Sequence, residues 1–370
     1  MLVDLRGTGD SASLACLVDR DPLAMLGADQ GAFGEEGAAC AAELSRDPRH
    51  YTHANALADL DEIRQRLGYQ QTNLWGGSWG TRAALLYALE YPDAVRRIVL
   101  DGAVALDMSF PRSVAADTAR AFELLVERCA AEPLCRRLLP DPRRELRKVL
   151  SRLEASPVSA RIRHPRTGRP VRVTLTRDAV AEVLRVALYT TVDAARLLQL
   201  VHSAASGDYA PLAAQHLHAS TVFADDMALG ATLAILCSED VPLVRHVDFA
   251  AEARDTPFGA GYAEAWVARC GQWPAGPPLT VDHTRTVSAP ALILSGALDP
   301  VTPPRAGEAM ARRFASPVHV VVPGAAHNAS FGGCVPDLIA AFVDDTPFDP
   351  SCVADLPVPP IAVDSSGGRP

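Results

Sequence analysis

Apolar residues along this chain fall into two rhythms. Short unbroken apolar or β-branched runs, the mark of strands buried on both faces, occur in "MLVDLRGTG" at the start, "TNLW" at 72–75, "RRIVLDGAV" at 96–104, "APALILSGALDP" at 289–300 and "VHVVVPGAAH" at 318–327. Between them the apolar positions move to helical spacing. "YTHANALADLDEIRQRLGY" places Ala56, Leu60, Ile63 and Leu67 on one face, and helices are predicted around "PRAGEAMARRF" and "CVPDLIAAFV". From about Ser109 to Val287 the pattern is mostly helical, with one hairpin-like piece, "RIRHPRTGRPVRVTL". Strands alternating with helices predict an α/β fold with a mostly parallel sheet and helices on both faces. The long helical stretch predicts an inserted, mainly helical cap. The expected division is a core of residues 1–108 and 288–346, a cap of 109–287, and an extension of 347–370 whose tail, "PVPPIAVDSSGGRP", reads as disordered.

At the second strand the pattern breaks in a particular way. "LWGGSWGTRAALLYALEYPD" passes from strand to helix through Gly76, Gly77, Ser78, Trp79 and Gly80, after which Ala83, Ala84, Leu85, Leu86, Ala88 and Leu89 run helically until Pro92. A serine in G-x-S-x-G at a strand-to-helix junction is a nucleophile elbow, a turn so sharp that Gly76 and Gly80 are expected to relieve collisions across it. The helix N-terminus then lies beneath the hydroxyl, and the Trp79 N–H faces an oxyanion. A serine hydroxyl needs a base and an orienting acid. Ligands of open parallel sheets bind past the carboxyl ends of strands, where Asp299 follows "ALILSGAL" and His327 follows "VHVVVPGAA". Ser78, Asp299, His327 is the chain order of the α/β-hydrolase triad. The remaining histidines carry less: His216 and His218 are two apart, which on a helix turns them away from each other, so no metal pair is expected.

Composition narrows the classes. The chain has 370 residues, 48% hydrophobic and 21% charged, with a net charge of −9. The acidic balance argues against nucleic acid, and no apolar run reaches the roughly 18 residues of a membrane span. The eight cysteines contain no C-x-x-C pair, which disfavours zinc. Of ~105 possible connectivities the four sequential pairs, Cys16 with Cys40, Cys129 with Cys135, Cys237 with Cys270 and Cys334 with Cys352, are the simplest and imply an oxidising compartment; eight reduced thiols are the alternative. No signal peptide is recognisable, although export would call for one.

With these residues in hand, the chain resembles the α/β-hydrolase peptidases of the proline iminopeptidase and tripeptidyl aminopeptidase type, through "VDLRGTGDS", "GGSWGTRAALLYALEYPDAVRRIVLDG", "LILSGALDPVTPP" and "VVPGAAHNASFGGC". The resemblance implies a cofactor-free serine exopeptidase acting on peptides with a free N-terminus. His327 would deprotonate Ser78 and Asp299 would hold the imidazole. The substrate ammonium would be met by acids of the cap, for which "AILCSEDVP" offers Glu239 first and Asp240 second. Such peptidases also carry a His-Gly-Gly-Pro-Gly loop before the D-x-R-G strand, and this chain begins at that strand. The expectation is therefore that N-terminal strands are missing, that the reading frame continues upstream, and that the 370-residue chain alone is poorly soluble or inactive. An esterase of the same fold and an inactive truncated product are the alternatives. The sequence leaves the oligomeric state open.

Overall fold

The computed structural model describes residues 3–16, 30–164, 167–223 and 228–364. Helices α1 (Gln30–Glu43) and α2 (His53–Arg66) lead into strand β1 (Thr72–Gly77), helix α3 (Trp79–Glu90) and strand β2 (Val95–Asp101). The chain then leaves the sheet and returns with β5 (Ala291–Gly296), α12 (Pro304–Ala311), β6 (Pro317–Val322) and α13 (Val335–Asp344). These four strands form one parallel sheet in the order β1–β2–β5–β6, with Leu74 opposite Ile98, Ile98 opposite Ala291 and Leu292 opposite Val318.

Burial follows position in the sheet. All six residues of β5 are buried, whereas the outer strands β1 and β6 alternate between covered and open positions. In β2, Ile98 and Leu100 enter the cluster that contains α3, while Val99 enters the cluster on the opposite face with Leu338 and Phe342 of α13. Helix α3 is buried from Thr81 through Leu89, as a helix that is apolar nearly all round must be. It stops at Tyr91, the residue before Pro92, where helical backbone is disfavoured.

One expectation at the start of the chain is corrected. Val3 to Leu5, expected as a strand, are not in the sheet; a strand exists through its ladder partners, and among the described residues β1 pairs with β2 alone. The segment instead shares a cavity of about 440 Å³ with Asp59, Leu60, Glu62 and Ile63 of α2. The buried face of α2 is accordingly His53, Ala56, Leu57 and Asp61, rotated from the expected stripe. In the tail, Ile361 is 5% exposed and packs into a core cluster, while the Ala362 N–H donates to Ala195 O at 2.8 Å.

Between β2 and β5 lie α4 (Val114–Ala131), α5 (Pro133–Leu138), α6 (Pro142–Ala155), an antiparallel hairpin of β3 (Val158–Arg163) with β4 (Pro170–Leu175), then α7 (Arg177–Ala187), α8 (Thr191–Ala205), α9 (Ala210–Phe223), α10 (Leu229–Ile235) and α11 (Gly261–Arg269). This inserted region has its own apolar core, drawn from Phe122, Leu146, Leu175, Leu184, Leu198 and Leu212 among others. The four disulfides join the sequential pairs. One of them, Cys237–Cys270, ties α11 to the π-helical turn Leu236–Asp240 that follows α10. No helix of the described residues is long and apolar enough to cross a membrane.

Candidate active site

Ser78 sits at φ 52° and ψ −121°, between the last residue of β1 and the first of α3. A non-glycine residue in this region costs of order 1–3 kcal/mol and persists when its surroundings over-determine it. Here its N–H donates to Asp101 O at 2.7 Å, and its carbonyl accepts from the Thr81 N–H at 2.9 Å and the Thr81 hydroxyl at 2.6 Å. The close approach across the turn is one-sided. A Cβ on Gly76 would meet Gly80 O at 2.4 Å, whereas one on Gly80 would meet nothing within 4 Å; the strand bends over the helix backbone, so the strand glycine is the one the turn requires.

Asp299 and His327 stand past the ends of β5 and β6. The Asp299 carboxylate, fully buried, accepts from the Val301 N–H at 2.9 Å and the Thr302 N–H at 2.8 Å on one oxygen, and from the Thr302 hydroxyl at 2.6 Å and His327 Nδ1 at 2.8 Å on the other. Burial works against its charge, but the His327 ring and the Thr302 donors outweigh burial and hold its pKa below the ordinary carboxylate value. The same balance acts on His327. Burial disfavours the imidazolium, Asp299 favours it through charge and hydrogen bond, and the pKa stands above the ordinary histidine value. The elbow and the histidine loop are adjacent: a Cβ on Gly77 would lie 3.4 Å from Asn328 Oδ1, and one on Gly102 would lie 3.2 Å from His327 Cε1. From the inserted region, Tyr189 accepts the His327 N–H on its carbonyl at 3.2 Å and sets its ring edge-on to the imidazole, 5.0 Å between centroids. The Tyr189 hydroxyl accepts from Arg185 at 2.7 Å.

Trp79 opens α3, where position alone leaves an N–H without an intrahelical acceptor. Its indole stacks on the His53 ring at 4.6 Å. Glu239 and Asp240, the two acids expected to meet the substrate ammonium, lie inside the protein on the π-turn. Asp240 accepts two bonds from Arg82 of α3, at 2.9 and 3.0 Å, and one from the Phe110 N–H at 3.1 Å. Glu239 accepts the His53 N–H at 2.9 Å and contacts His53 Nδ1 with its other oxygen, while His53 Nε2 has no hydrogen-bond partner among the described residues.

Sequence reasoning missed several of these neighbours. Asp101 and Gly102 end a predicted strand in "VLDG", a position of the kind that singled out Asp299 and His327. Thr302, Tyr189, Arg185 and His53 carry no signal in the linear pattern; they reach the site by long-range packing. Among the described residues no group of three or more His, Cys, Asp or Glu stands together as a metal site.

The chain is similar in sequence, at low identity, to several proteins named as peptidases. The chain is 28% identical over 319 residues to serine protease Hip1 of Mycobacterium tuberculosis, an alignment that takes in 80% of this chain and 59% of the relative, so the chain spans little more than half of that protein's length. It is 32% identical over 113 residues to a tripeptidyl aminopeptidase of Streptomyces lividans, across 27% of this chain and 21% of the other. With a putative proline iminopeptidase of Mycoplasma pneumoniae it shares 31% identity over 96 residues, across 25% of this chain and 29% of the other. The family pattern of the alpha/beta hydrolase fold matches residues 1–333, from the segment ahead of α1 to the loop beyond His327, and the chain belongs to that family.

Proposed function

We propose that this hydrolase is a serine exopeptidase that removes N-terminal residues from peptides through an acyl-enzyme on Ser78. The observation that carries the reading is the hydrogen-bonded Asp299–His327 pair on a loop adjacent to the strained turn that holds Ser78 at a helix N-terminus. In this mechanism His327 Nε2 takes the Ser78 proton as the oxygen attacks the scissile carbonyl. The Trp79 N–H and the N-terminus of α3 stabilise the oxyanion. The tetrahedral intermediate collapses with His327 returning the proton to the leaving amine, and water repeats the cycle on the acyl-enzyme. Asp299 keeps the Nδ1 proton in place, so that Nε2 is the basic nitrogen.

The peptide substrate and the need for a free amine follow from likeness to the named peptidases. Asp240 is paired with the Arg82 guanidinium and Glu239 with His53, both inside the protein, and the substrate ammonium is assigned to Glu239 because its partner carries an open ring nitrogen. Supporting this assignment, a His53 ring that donates from Nδ1 to Glu239 keeps Nε2 as an acceptor, and that nitrogen is buried and unpaired, an open polar capacity that a purely structural pair would close. Four disulfides favour action in an oxidising, exported setting.

The test is active-site labelling with a fluorophosphonate, together with hydrolysis of matched peptide amides that are free or acetylated at the N-terminus. Labelling at Ser78, loss of both labelling and turnover in Ser78→Ala, and preference for the free amine are expected. Equal rates on free and acetylated substrates, or turnover of simple esters alone, would replace the exopeptidase with an esterase.

A further inference from the structure

Asp101 ends β2 between the two strand ends that carry the site, and it is fully buried. Its main chain and its side chain act on different parts of that site. The carbonyl accepts the Ser78 N–H at 2.7 Å. The carboxylate accepts two consecutive backbone N–H groups, Ala329 on Oδ1 and Ser330 on Oδ2, each at 2.8 Å. These two amides lie two and three residues after His327, and the intervening Asn328 has φ 65°. A left-handed residue in that position turns successive N–H groups toward one side and makes a concave nest for an anion. The anion here is supplied by the protein itself.

The geometry points to Asp101 as a positioning residue that sets the distance between the Ser78 elbow and the His327 loop, holding the nucleophile through its carbonyl and the base through its carboxylate. The inference rests on the reading of Ser78 and His327 as nucleophile and base. Two features argue that the carboxylate serves the site and is more than a local cap. First, a carboxylate is the side chain that accepts two N–H bonds without bringing a donor of its own; an amide here would set its NH₂ against one of the two N–H groups. Second, Asp299 already orients the imidazole at Nδ1, so Asp101 acts on a separate degree of freedom, the place of the loop. Its charge also adds to that of Asp299 in favouring the imidazolium, while Arg185 from the inserted region opposes both. The groups whose charge bears on His327 are therefore Asp299, Asp101 and Arg185. Arg185 is itself held by Glu182, the Tyr189 hydroxyl and the Tyr262 ring.

The experiment compares the full chain with Asp101→Asn, using peptide turnover, its pH profile and fluorophosphonate labelling. The expected result is a folded enzyme whose kcat falls about 10- to 100-fold, the scale of a small misplacement of reacting groups, with KM nearly unchanged. The acid limb of kcat/KM should move to lower pH, because a charge that favoured the imidazolium is gone. The limb reports the lost charge alone, whereas a role confined to stability would lower Tm and leave the kcat of the folded enzyme where it was. Wild-type kcat overturns the inference, wherever the acid limb lies. If Asp101→Asn does not fold, Ser330→Pro compared with Ser330→Ala decides: both lose the hydroxyl that accepts from the Trp75 indole at 3.3 Å, and only the proline variant also removes one of the two N–H groups that the buried carboxylate accepts. A lower kcat in the proline variant than in the alanine variant, at constant KM, upholds the inference, and equal kcat in the two overturns it. If Ser78 is not labelled in the unaltered chain, or Ser78→Ala still turns over peptides, the proposed function itself fails, whatever Asp101→Asn does.

Discussion

At the scale of single residues, His327 sets the conditions under which the site works. In the proposed mechanism it must be neutral to accept the Ser78 proton, and its pKa stands above the ordinary 6.5 because Asp299 outweighs burial. The imidazolium therefore persists to higher pH than in a free histidine. We expect kcat/KM to decline as pH falls through a value above 6.5, as read from an initial-rate profile. A raised folded-state pKa also means that protonation of His327 contributes stability, fully present below the unfolded value and lost as pH rises through the folded one. The acid loss of activity should hence appear without a parallel drop in Tm over the same interval, and a coincident drop would point to unfolding in place of titration. Gly102 gives a second prediction. It lies at φ 69° with the space above its Cα filled by His327 and Thr302. Gly102→Ala should lower kcat at least tenfold by pushing the imidazole aside, and a variant of normal kcat would show that the ring tolerates the shift. Glu239→Gln should reduce kcat/KM on free-amine peptides by tenfold or more, the worth of a charge-assisted bond of about 1.5–3 kcal/mol, with little change on acetylated ones. Equal losses on both substrates would remove Glu239 from amine recognition.

At the scale of elements, the join between the elbow helix and the inserted region is ionic. Arg82, 3% exposed on α3, pairs with Asp240, 1% exposed on the π-turn, and also donates to the carbonyls of Ala105 and Met108. Removing one partner of a buried pair leaves the other charge uncompensated, at about 3–5 kcal/mol. Asp240→Asn should lower the unfolding free energy by roughly that amount in a denaturant titration, and a loss under about 1 kcal/mol would show the pair to be solvated. The element scale is also where the linear pattern was most and least informative. Ser78, Asp299 and His327 were legible because each lies just past a strand whose apolar run is unambiguous, and the strand ends of a parallel sheet share one rim. Val3 to Leu5 were misread because an apolar run records burial, while strand structure needs a neighbouring ladder. In the tail, a proline-rich stretch carries one apolar anchor, Ile361, which packs into the inserted region's core.

At the scale of the whole molecule, the covalent links differ in what they constrain. Cys237–Cys270 spans 33 residues of sequence and Cys129–Cys135 spans 6. On the loop-closure account the first restricts the unfolded chain by about 4 kcal/mol and the second by about 2. Replacing the 237–270 pair by alanines should therefore cost more unfolding free energy than replacing the 129–135 pair; the reverse order would mean that strain or local contacts dominate. The sequence by itself determined the α/β layering, the strand–elbow–helix junction and the chain order of Ser78, Asp299 and His327, because these depend on periodicity and on neighbours along the chain, while it left the cysteine pairing open among ~105 connectivities. Only the tertiary structure decided that Asp240 is committed to Arg82, that Glu239 lies against His53 beside Trp79, and that Thr302, Tyr189 and Asp101 surround the histidine. Those contacts join residues far apart in sequence, and a buried polar group chooses its partner by desolvation and geometry at the end of folding, which no local pattern of residues records.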